Sequence, residues 1–207
     1  MVKQNYFIFS LVLFLIISVN SVASQERQIS FHVKGGGFWS SEENIHSGIT
    51  TGFGFGYCVN QNLSLVFDFR YSSSDVVQKT GHLYSGKLTV TPFMASLRYS
   101  VFSSGTIIPY IFLGTGYIFS SVKMDDIITI PEVTISQDVK NGLGFQVGAG
   151  TSIQMSRNIS VFGEFLYTRR KTEGVTKIND MNFGLSQEEF AVNLSSLSVS
   201  LGLRFNL

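Results

Sequence analysis

A histidine and a serine stand side by side in the first predicted loop, where Glu42 and Glu43 precede His46 and Ser47. A serine, a histidine and a carboxylate together are the groups that many hydrolases use for nucleophilic catalysis. Neighbouring residues of a strand point to opposite faces, so His46 and Ser47 could cooperate only in an irregular loop. Two polar residues in a solvated loop are the simpler interpretation. We therefore predict no catalytic residues and a protein that is not an enzyme.

The numbers and positions of the histidine and cysteine residues do not indicate a metal site or a disulfide bond. The chain has three histidines, His32, His46 and His82, and one cysteine, Cys58. Their scattered positions give no metal-ligand spacing, and a single cysteine excludes an intrachain disulfide. We predict no metal and no cofactor, and an inert role for Cys58 as a small residue inside the fold.

Charged residues on the polar faces of alternating segments are the remaining candidates. Besides the titratable His32, they are Lys34, Asp68, Arg70, Arg98, Glu164 and Arg204. One interpretation is a structural network of ion pairs, because a buried charge without a partner is costly. The other is a path for protons or ions, or a gated pore. We predict the structural network, in which Asp68 and Glu164 neutralise the arginines and Arg204 contacts Glu164 directly.

A closed sheet is needed to bring these side chains together, and the alternation of the chain supplies its strands. The last eleven residues, LSVSLGLRFNL, alternate apolar and polar side chains, so one face of the strand is apolar and the other polar. Eight segments alternate in this way: 28–39, 48–59, 62–72, 87–102, 106–120, 141–154, 158–169 and 193–207. In the second and sixth, glycine fills the polar face and leaves room inside a narrow, curved sheet. Tyr110 and Phe112 blur the alternation of the fifth.

The connections between these segments alternate between short and long, starting with a long one. Short periplasmic turns and long extracellular loops are typical of outer-membrane barrels. We therefore predict an all-β fold, a single eight-stranded antiparallel up-and-down transmembrane β-barrel. Pro92 lies within the fourth segment and has no N–H group to donate to a neighbouring strand. It is expected at the outer rim, with Lys87 to Thr91 above the membrane.

The beginning of the chain and its composition indicate an exported protein. Lys3 precedes the apolar stretch FIFSLVLFLIISV, and small residues follow, which predicts a secretory signal peptide over residues 1–24. Residues 25–207 then form one barrel domain. Charged residues make up only 14% of the chain, well below the ~25% usual for soluble domains. A net charge of +1 gives no reason to expect nucleic acid.

Four segments resemble the strand signatures of small bacterial outer-membrane barrels of the OmpA/OmpX type. They are TPFMASLRYSVF (91–102), PYIFLGTGYIF (109–119), NISVFGEFLYTRR (158–170) and LSVSLGLRFNL (197–207). The resemblance spans essentially the whole mature chain and implies an integral protein of a Gram-negative outer membrane, inserted by the barrel-assembly machinery. It also implies interior arginine–glutamate contacts that include Glu164 and Arg204. Such proteins usually end in Phe or Trp, whereas this chain ends in Leu207, with Phe205 two positions earlier.

A barrel of eight strands is just wide enough for side chains to fill it, which argues against an open channel. We predict a surface protein whose loops 40–47, 73–86, 121–140 and 170–192 contact an extracellular protein or another surface ligand. Its other partners are outer-membrane lipid and, during biogenesis, the barrel-assembly machinery. Ile127 to Ile135 alternates around Pro131 as a hairpin would, and such strands can pair with the strand edge of a partner. The alternatives are a lipid-modifying enzyme and a small-solute channel.

Overall fold

Eleven strands make up the regular structure of the protein in a computed structural model that describes residues 29–77, 86–102, 105–124, 133–180 and 184–207. They are β1 (Ile29–Ser40), β2 (Gly48–Cys58), β3 (Leu63–Val76), β4 (Gly86–Ser100), β5 (Ile107–Met124), β6 (Val133–Val139), β7 (Gly142–Gln154), β8 (Ile159–Arg169), β9 (Lys171–Asp180), β10 (Gly184–Asn193) and β11 (Ser196–Asn206). None of the described residues belongs to a helix long and apolar enough to cross a membrane. The predicted signal peptide lies outside the described residues.

Eight of these strands close into a barrel in the order β1-β11-β8-β7-β5-β4-β3-β2, and each pair of neighbours is antiparallel. The predicted eight-stranded barrel is confirmed, and the strands begin and end within four residues of the segments expected from alternation. Short turns join the strands at one end, which we call the inner end, and long connections join them at the other, the outer end. Because the sheet is closed, each strand has a hydrogen-bonded neighbour on both sides, as backbone groups within lipid require.

Alternation along each strand sorts the side chains as expected. On β8, Phe165 is 52% exposed on the outside of the wall, whereas its neighbour Glu164 is buried inside. Aromatic side chains stand on the outside near the strand ends, where membrane proteins place them at the lipid–water boundary. Those exposed on the outer surface include Trp39, Tyr71, Tyr99, Tyr117, Phe119 and Tyr167. The outside of the barrel is therefore an apolar surface and the inside a polar one.

Pro92 lies within the wall and interrupts one ladder locally. Towards β5 it pairs in register with Ile118. Towards β3 the ladder runs to Phe69 and Phe93 and resumes at Ser72 and Val90 without a change of register. The two rows without pairing lie at Pro92, because a proline has no N–H group to donate. The row beyond it carries Phe119, one of the boundary aromatics, so Pro92 lies near the outer end of the apolar surface.

Two of the long connections contain strands rather than loops, which corrects the loop boundaries expected for 121–140 and 170–192. β9 and β10 form a hairpin in the last connection, and β6 pairs with β9 to complete a three-stranded sheet in the order β10-β9-β6. Only the second half of the hairpin expected around Pro131 is described, and it pairs with β9. Ile127 to Glu132 lies outside the described residues.

An apolar core fills the space enclosed by this sheet and by the outer ends of β3, β4 and β5. Its buried members are Ile45, Val76, Leu88, Val139, Phe190, Val192 and Leu194, with Val90 and Val122 packed against them. Between the boundary aromatics the interior thus holds the buried charges together with a few apolar side chains such as Phe112 and Leu166, whereas beyond them it is apolar. This follows from the surroundings: within lipid the apolar residues face outwards, whereas in water an extension of the wall needs an ordinary hydrophobic core. We call this part of the protein the outer platform.

Candidate functional site in the barrel interior

The centre of the polar interior is a cluster of ion pairs around Lys34. The Lys34 ammonium lies 2.9 Å from the Asp68 carboxylate and 3.0 Å from that of Glu164. His32 Nε2 lies 2.8 Å from the same Asp68 oxygen, and the second Glu164 oxygen lies 3.6 Å from Arg98. All five side chains are buried. Each carboxylate therefore has at least two polar partners, which is the condition under which buried charges are tolerated.

Strand register explains why His32 and Asp68 meet although they lie on different strands. His32 on β1 stands opposite Gly54 on β2, which stands opposite Asp68 on β3. A Cβ atom at Gly54 would lie 2.7 Å from two atoms of the His32 ring. Glycine is therefore required at the middle position, because the imidazole crosses it to reach the carboxylate.

Arg70 lies in a separate layer nearer the outer end and has neutral partners. Its guanidinium donates to Gln146 Oε1 at 2.8 Å and, at 3.4 Å, to Thr168 Oγ1. Gln146 in turn donates to Ser96 at 2.6 Å. Between this layer and the apolar core is a cavity of about 30 Å³ lined by Arg70, Phe38, Leu88 and Leu194, among others. That is room for about a water molecule, so this region is not an open pore in the structure.

Arg204 and Arg98 occupy the layer nearest the inner end, together with two aromatic rings. Arg98 Cζ lies 4.8 Å from the centre of the Tyr110 ring and Arg204 Cζ lies 5.6 Å from it. Arg204 also packs on the Phe162 ring, with 5.0 Å between Cζ and the ring centre. Tyr110 donates its hydroxyl hydrogen to Glu164 at 3.0 Å. One tyrosine thus connects the two arginines to the ion-pair cluster.

The expected direct contact between Arg204 and Glu164 is wrong. Register places Glu164 opposite Ser200, four residues from Arg204 along β11, which is a separation of roughly 13 Å along the strand. Glu164 is paired instead with Lys34 and Arg98, and Arg204 stacks on aromatic rings. β8 and β11 are neighbours, as the sequence predicts, but alternation alone does not give the register between them.

A pair of double-mutant cycles tests this assignment. We expect Glu164→Gln and Lys34→Met to show a coupling of about 1 kcal/mol or more, because the two side chains are in direct contact. Glu164→Gln and Arg204→Gln should show a smaller coupling, because these two side chains are not in direct contact and are linked only at longer range and through Tyr110. The free energies are measured by urea unfolding in lipid bilayers. A larger coupling with Arg204 than with Lys34 would show that Glu164 does not stand opposite Ser200.

Sequence reasoning missed Tyr110 as a member of the interior. Together with Phe112 it made the fifth segment look irregular, yet both rings are buried inside the barrel. The signal lies on β7, where Gly150 pairs with Tyr110 and Gly148 with Phe112. A Cβ atom at Gly150 would lie 2.7 Å from Tyr110 Cζ and Oη. A large ring facing a glycine on the adjacent strand is a pattern that could have placed both aromatics inside.

Replacing Gly150 with alanine should therefore disturb the Tyr110 ring. We expect Gly150→Ala to lower the unfolding free energy by about 1–3 kcal/mol, as overpacking does. Gly142→Ala is the matched control, since it lies on the same strand and its Cβ would have its nearest neighbour at 4.0 Å. It should change stability by less than about 0.5 kcal/mol. Equal effects of the two variants in urea unfolding would contradict the packing of Tyr110 on Gly150.

The first-loop candidates for catalysis are not part of the interior. His46 and Ser47 are both exposed. The His46 backbone bonds to β3: its N–H donates to the Asp75 carbonyl at 3.0 Å, and its carbonyl accepts from the Ser74 hydroxyl. Cys58 lies near the inner end, where its sulfur is 3.7 Å from the Ser64 hydroxyl. The chemistry that the described interior offers is a set of fixed charges rather than a nucleophile with its base.

Comparisons with known proteins agree with this architecture. The sequence model of the family described as outer membrane protein beta-barrel domain matches residues 9–205. OprG of Pseudomonas aeruginosa is similar in structure, with 14% identity, a TM-score of 0.67 and coverage of 86% of this chain and 95% of OprG. Neisserial surface protein A gives 16% identity, a TM-score of 0.53 and coverages of 89% and 99%. Comparison with the sequences of curated proteins gives no match.

A third similar structure is that of Ail, the attachment invasion locus protein of Yersinia pestis, in complex with the heparin analogue sucrose octasulfate. It shares 11% identity with this chain, with a TM-score of 0.52, and the match covers 88% of this chain and all of Ail. At these identities the likeness concerns the fold alone.

Proposed function

The chain belongs to the outer membrane protein beta-barrel domain family, and we propose that this integral outer-membrane protein acts as a non-enzymatic surface recognition protein. In this proposal the barrel anchors the outer platform, and the platform contacts a protein outside the cell. The observation that carries it is the folded sheet of β6, β9 and β10 standing beyond the boundary aromatics on its own apolar core. A folded, water-facing module held by a membrane anchor is suited to binding.

The filled interior supports this function over that of a channel. Ion pairs occupy the centre of the barrel, and the apolar core of the outer platform covers it. A solute would have to separate buried charges from their partners, and doing so costs several kcal/mol. Among proteins of the same fold, Ail binds the heparin analogue sucrose octasulfate, so a barrel of this kind is able to carry a ligand.

The edge of β10 that faces away from β9 is the part of the outer platform best suited to a partner. Among the residues that the structure describes, β10 is the end strand of its sheet. The N–H group of Asn193 points away from β9, because it donates to Glu42 on the other side at 3.2 Å. N–H groups alternate in direction along a strand, so that of Gln187 also points away from β9. An extended segment of another protein can add to such an edge through backbone hydrogen bonds.

Charged side chains keep the outside of the platform soluble. Lys140 lies 2.8 Å from Glu173 and 3.2 Å from Glu189, and Lys177 lies 3.4 Å from Asp138. The hydrogen bond from Lys140 holds the pKa of Glu173 below its usual range, and the same bond raises the pKa of Lys140. These exposed pairs tie β6, β9 and β10 together on the face opposite the apolar core.

Proline at an edge position tests the proposal without removing a side chain that pairs. Cells that display the protein are measured for adhesion to immobilised fibronectin, laminin and collagen. We expect Gln187→Pro to reduce adhesion several-fold, because it removes an N–H group that points away from β9 and leaves the pairing with β9 intact. Gln187→Ala keeps that N–H group and should adhere like the wild type. Wild-type adhesion no greater than that of cells without the protein on all three surfaces would contradict the proposal.

A further inference from the structure

The described interior of the barrel carries more positive than negative charge. Below the outer rim its cations are Lys34, Arg70, Arg98 and Arg204, and its carboxylates are Asp68 and Glu164. Arg170 is set apart, since it bonds to backbone carbonyls at the rim. Both carboxylates are already used by Lys34, Arg98 and His32. The interior therefore contains cationic groups without a carboxylate of their own.

Most of the arginine nitrogen atoms without a hydrogen-bond partner lie in the layer nearest the inner end. Arg204 has its Nε and Nη2 atoms buried without a hydrogen-bond partner in the protein, and Arg98 has its Nε atom in the same condition. Arg70 also has an unpartnered Nε atom, but its guanidinium is held by Gln146 and Thr168. Buried donors of this kind are costly to leave unpaired. No described carboxylate lies within ion-pair distance of Arg204, which interacts with Glu164 only at longer range and otherwise contacts the Tyr110 and Phe162 side chains.

Two guanidinium groups that pack on the same tyrosine ring repel each other, and a bound anion would offset this repulsion. The Arg98 and Arg204 guanidinium groups both lie against Tyr110, where they repel each other. Guanidinium groups bind phosphate and similar oxyanions through two parallel N–H donors. We propose that Arg98 and Arg204, beside Tyr110, form a binding site for an oxyanion of the phosphate class at the inner end of the barrel. The anion supplies the acceptors that Nε and Nη2 of Arg204 lack.

The position of the proposed site indicates that the anion enters from the inner end of the barrel. Arg204 lies two residues before the end of β11 and Arg98 two residues before the end of β4, both at the short-turn end. Lys34, with its ion pairs to both carboxylates, and the apolar core lie farther from the inner end, since Lys34 stands opposite Gly202, two residues before Arg204 on β11. A small anion dissolved on the inner side reaches the arginines without crossing either of them.

Inorganic phosphate is the probe, and the whole protein is folded in maltoside micelles that contain no phosphate group. Sodium phosphate is titrated at constant ionic strength against sodium chloride, and binding is followed by broadening of the phosphorus resonance. We expect saturable binding to the wild type. Arg204→Gln should bind about tenfold more weakly or worse, since it loses a charge-assisted pair of hydrogen bonds. Arg157→Gln, an exposed arginine of an inner turn, should bind like the wild type.

Mobility on unheated gels shows whether each variant is folded. If Arg204→Gln does not fold, Arg204→Lys replaces it, because this variant keeps the charge and loses the forked donor; it should also bind more weakly than the wild type. Binding by a folded Arg204 variant equal to that of the wild type would overturn the site. Absence of saturable binding to the wild type, or equal weakening by Arg157→Gln, would overturn it as well.

Discussion

Lys34→Met should be the most destabilising single substitution in the barrel interior. Lys34 is the one cation in contact with both Asp68 and Glu164 among the described residues, at 2.9 and 3.0 Å. Removing the ammonium leaves two buried carboxylates facing each other across the site it occupied. Breaking a buried ion pair by deleting one partner costs about 3–5 kcal/mol, and we expect a loss of this size. Urea unfolding in lipid bilayers measures it through Trp39, the only tryptophan of the chain, which moves from the lipid-facing surface into water.

Two further variants make this prediction specific to the cluster. Lys87→Met changes an exposed lysine of the outer platform and should alter stability by less than about 0.5 kcal/mol. Adding Glu164→Gln to Lys34→Met removes one of the two like charges that Lys34 separated and should restore part of the loss. A Lys34→Met protein as stable as the wild type would mean that the interior is too well hydrated for its ion pairs to matter.

Phe165→Arg should have the second largest effect, for a reason that concerns the lipid rather than the interior. Phe165 lies in the middle of β8 and is 52% exposed on the outside of the wall. Placing an arginine on the lipid face near the bilayer midplane costs about 2–4 kcal/mol in barrels of this kind. The unfolding free energy in bilayers, again from urea titration, is the measurement.

Ile159→Arg provides the matched control on the same strand. Ile159 is the first residue of β8 and also faces outwards, but it lies at the inner boundary. Since the penalty falls to about 0–1 kcal/mol near the interfaces, this variant should be nearly as stable as the wild type. Equal losses at the two positions would mean that Phe165 does not lie near the bilayer midplane.

The alternation of the sequence predicts which charged side chains line the interior. Their ion-pair partners depend on the register between strands, which alternation does not give. Lys34, Asp68, Arg70, Arg98, Glu164 and Arg204 were all expected on polar strand faces, and the structure places them on the inner side. The partner of Glu164 was assigned incorrectly. Alternation fixes the face of a residue, whereas a shift of two residues between strands keeps every face and changes every neighbour.

The sequence by itself determined the number of barrel strands, their approximate ends and the lipid-facing surface. These features depend on local patterns: the two-residue period of a strand and the lengths of the connections. Only the tertiary structure decided that β6 pairs with β9, that an apolar core closes the outer end, and that Tyr110 joins Arg98, Arg204 and Glu164. Each of these contacts joins residues distant in the chain. These contacts depend on the register between the strands of the closed barrel, and the local alternation of the sequence does not determine that register.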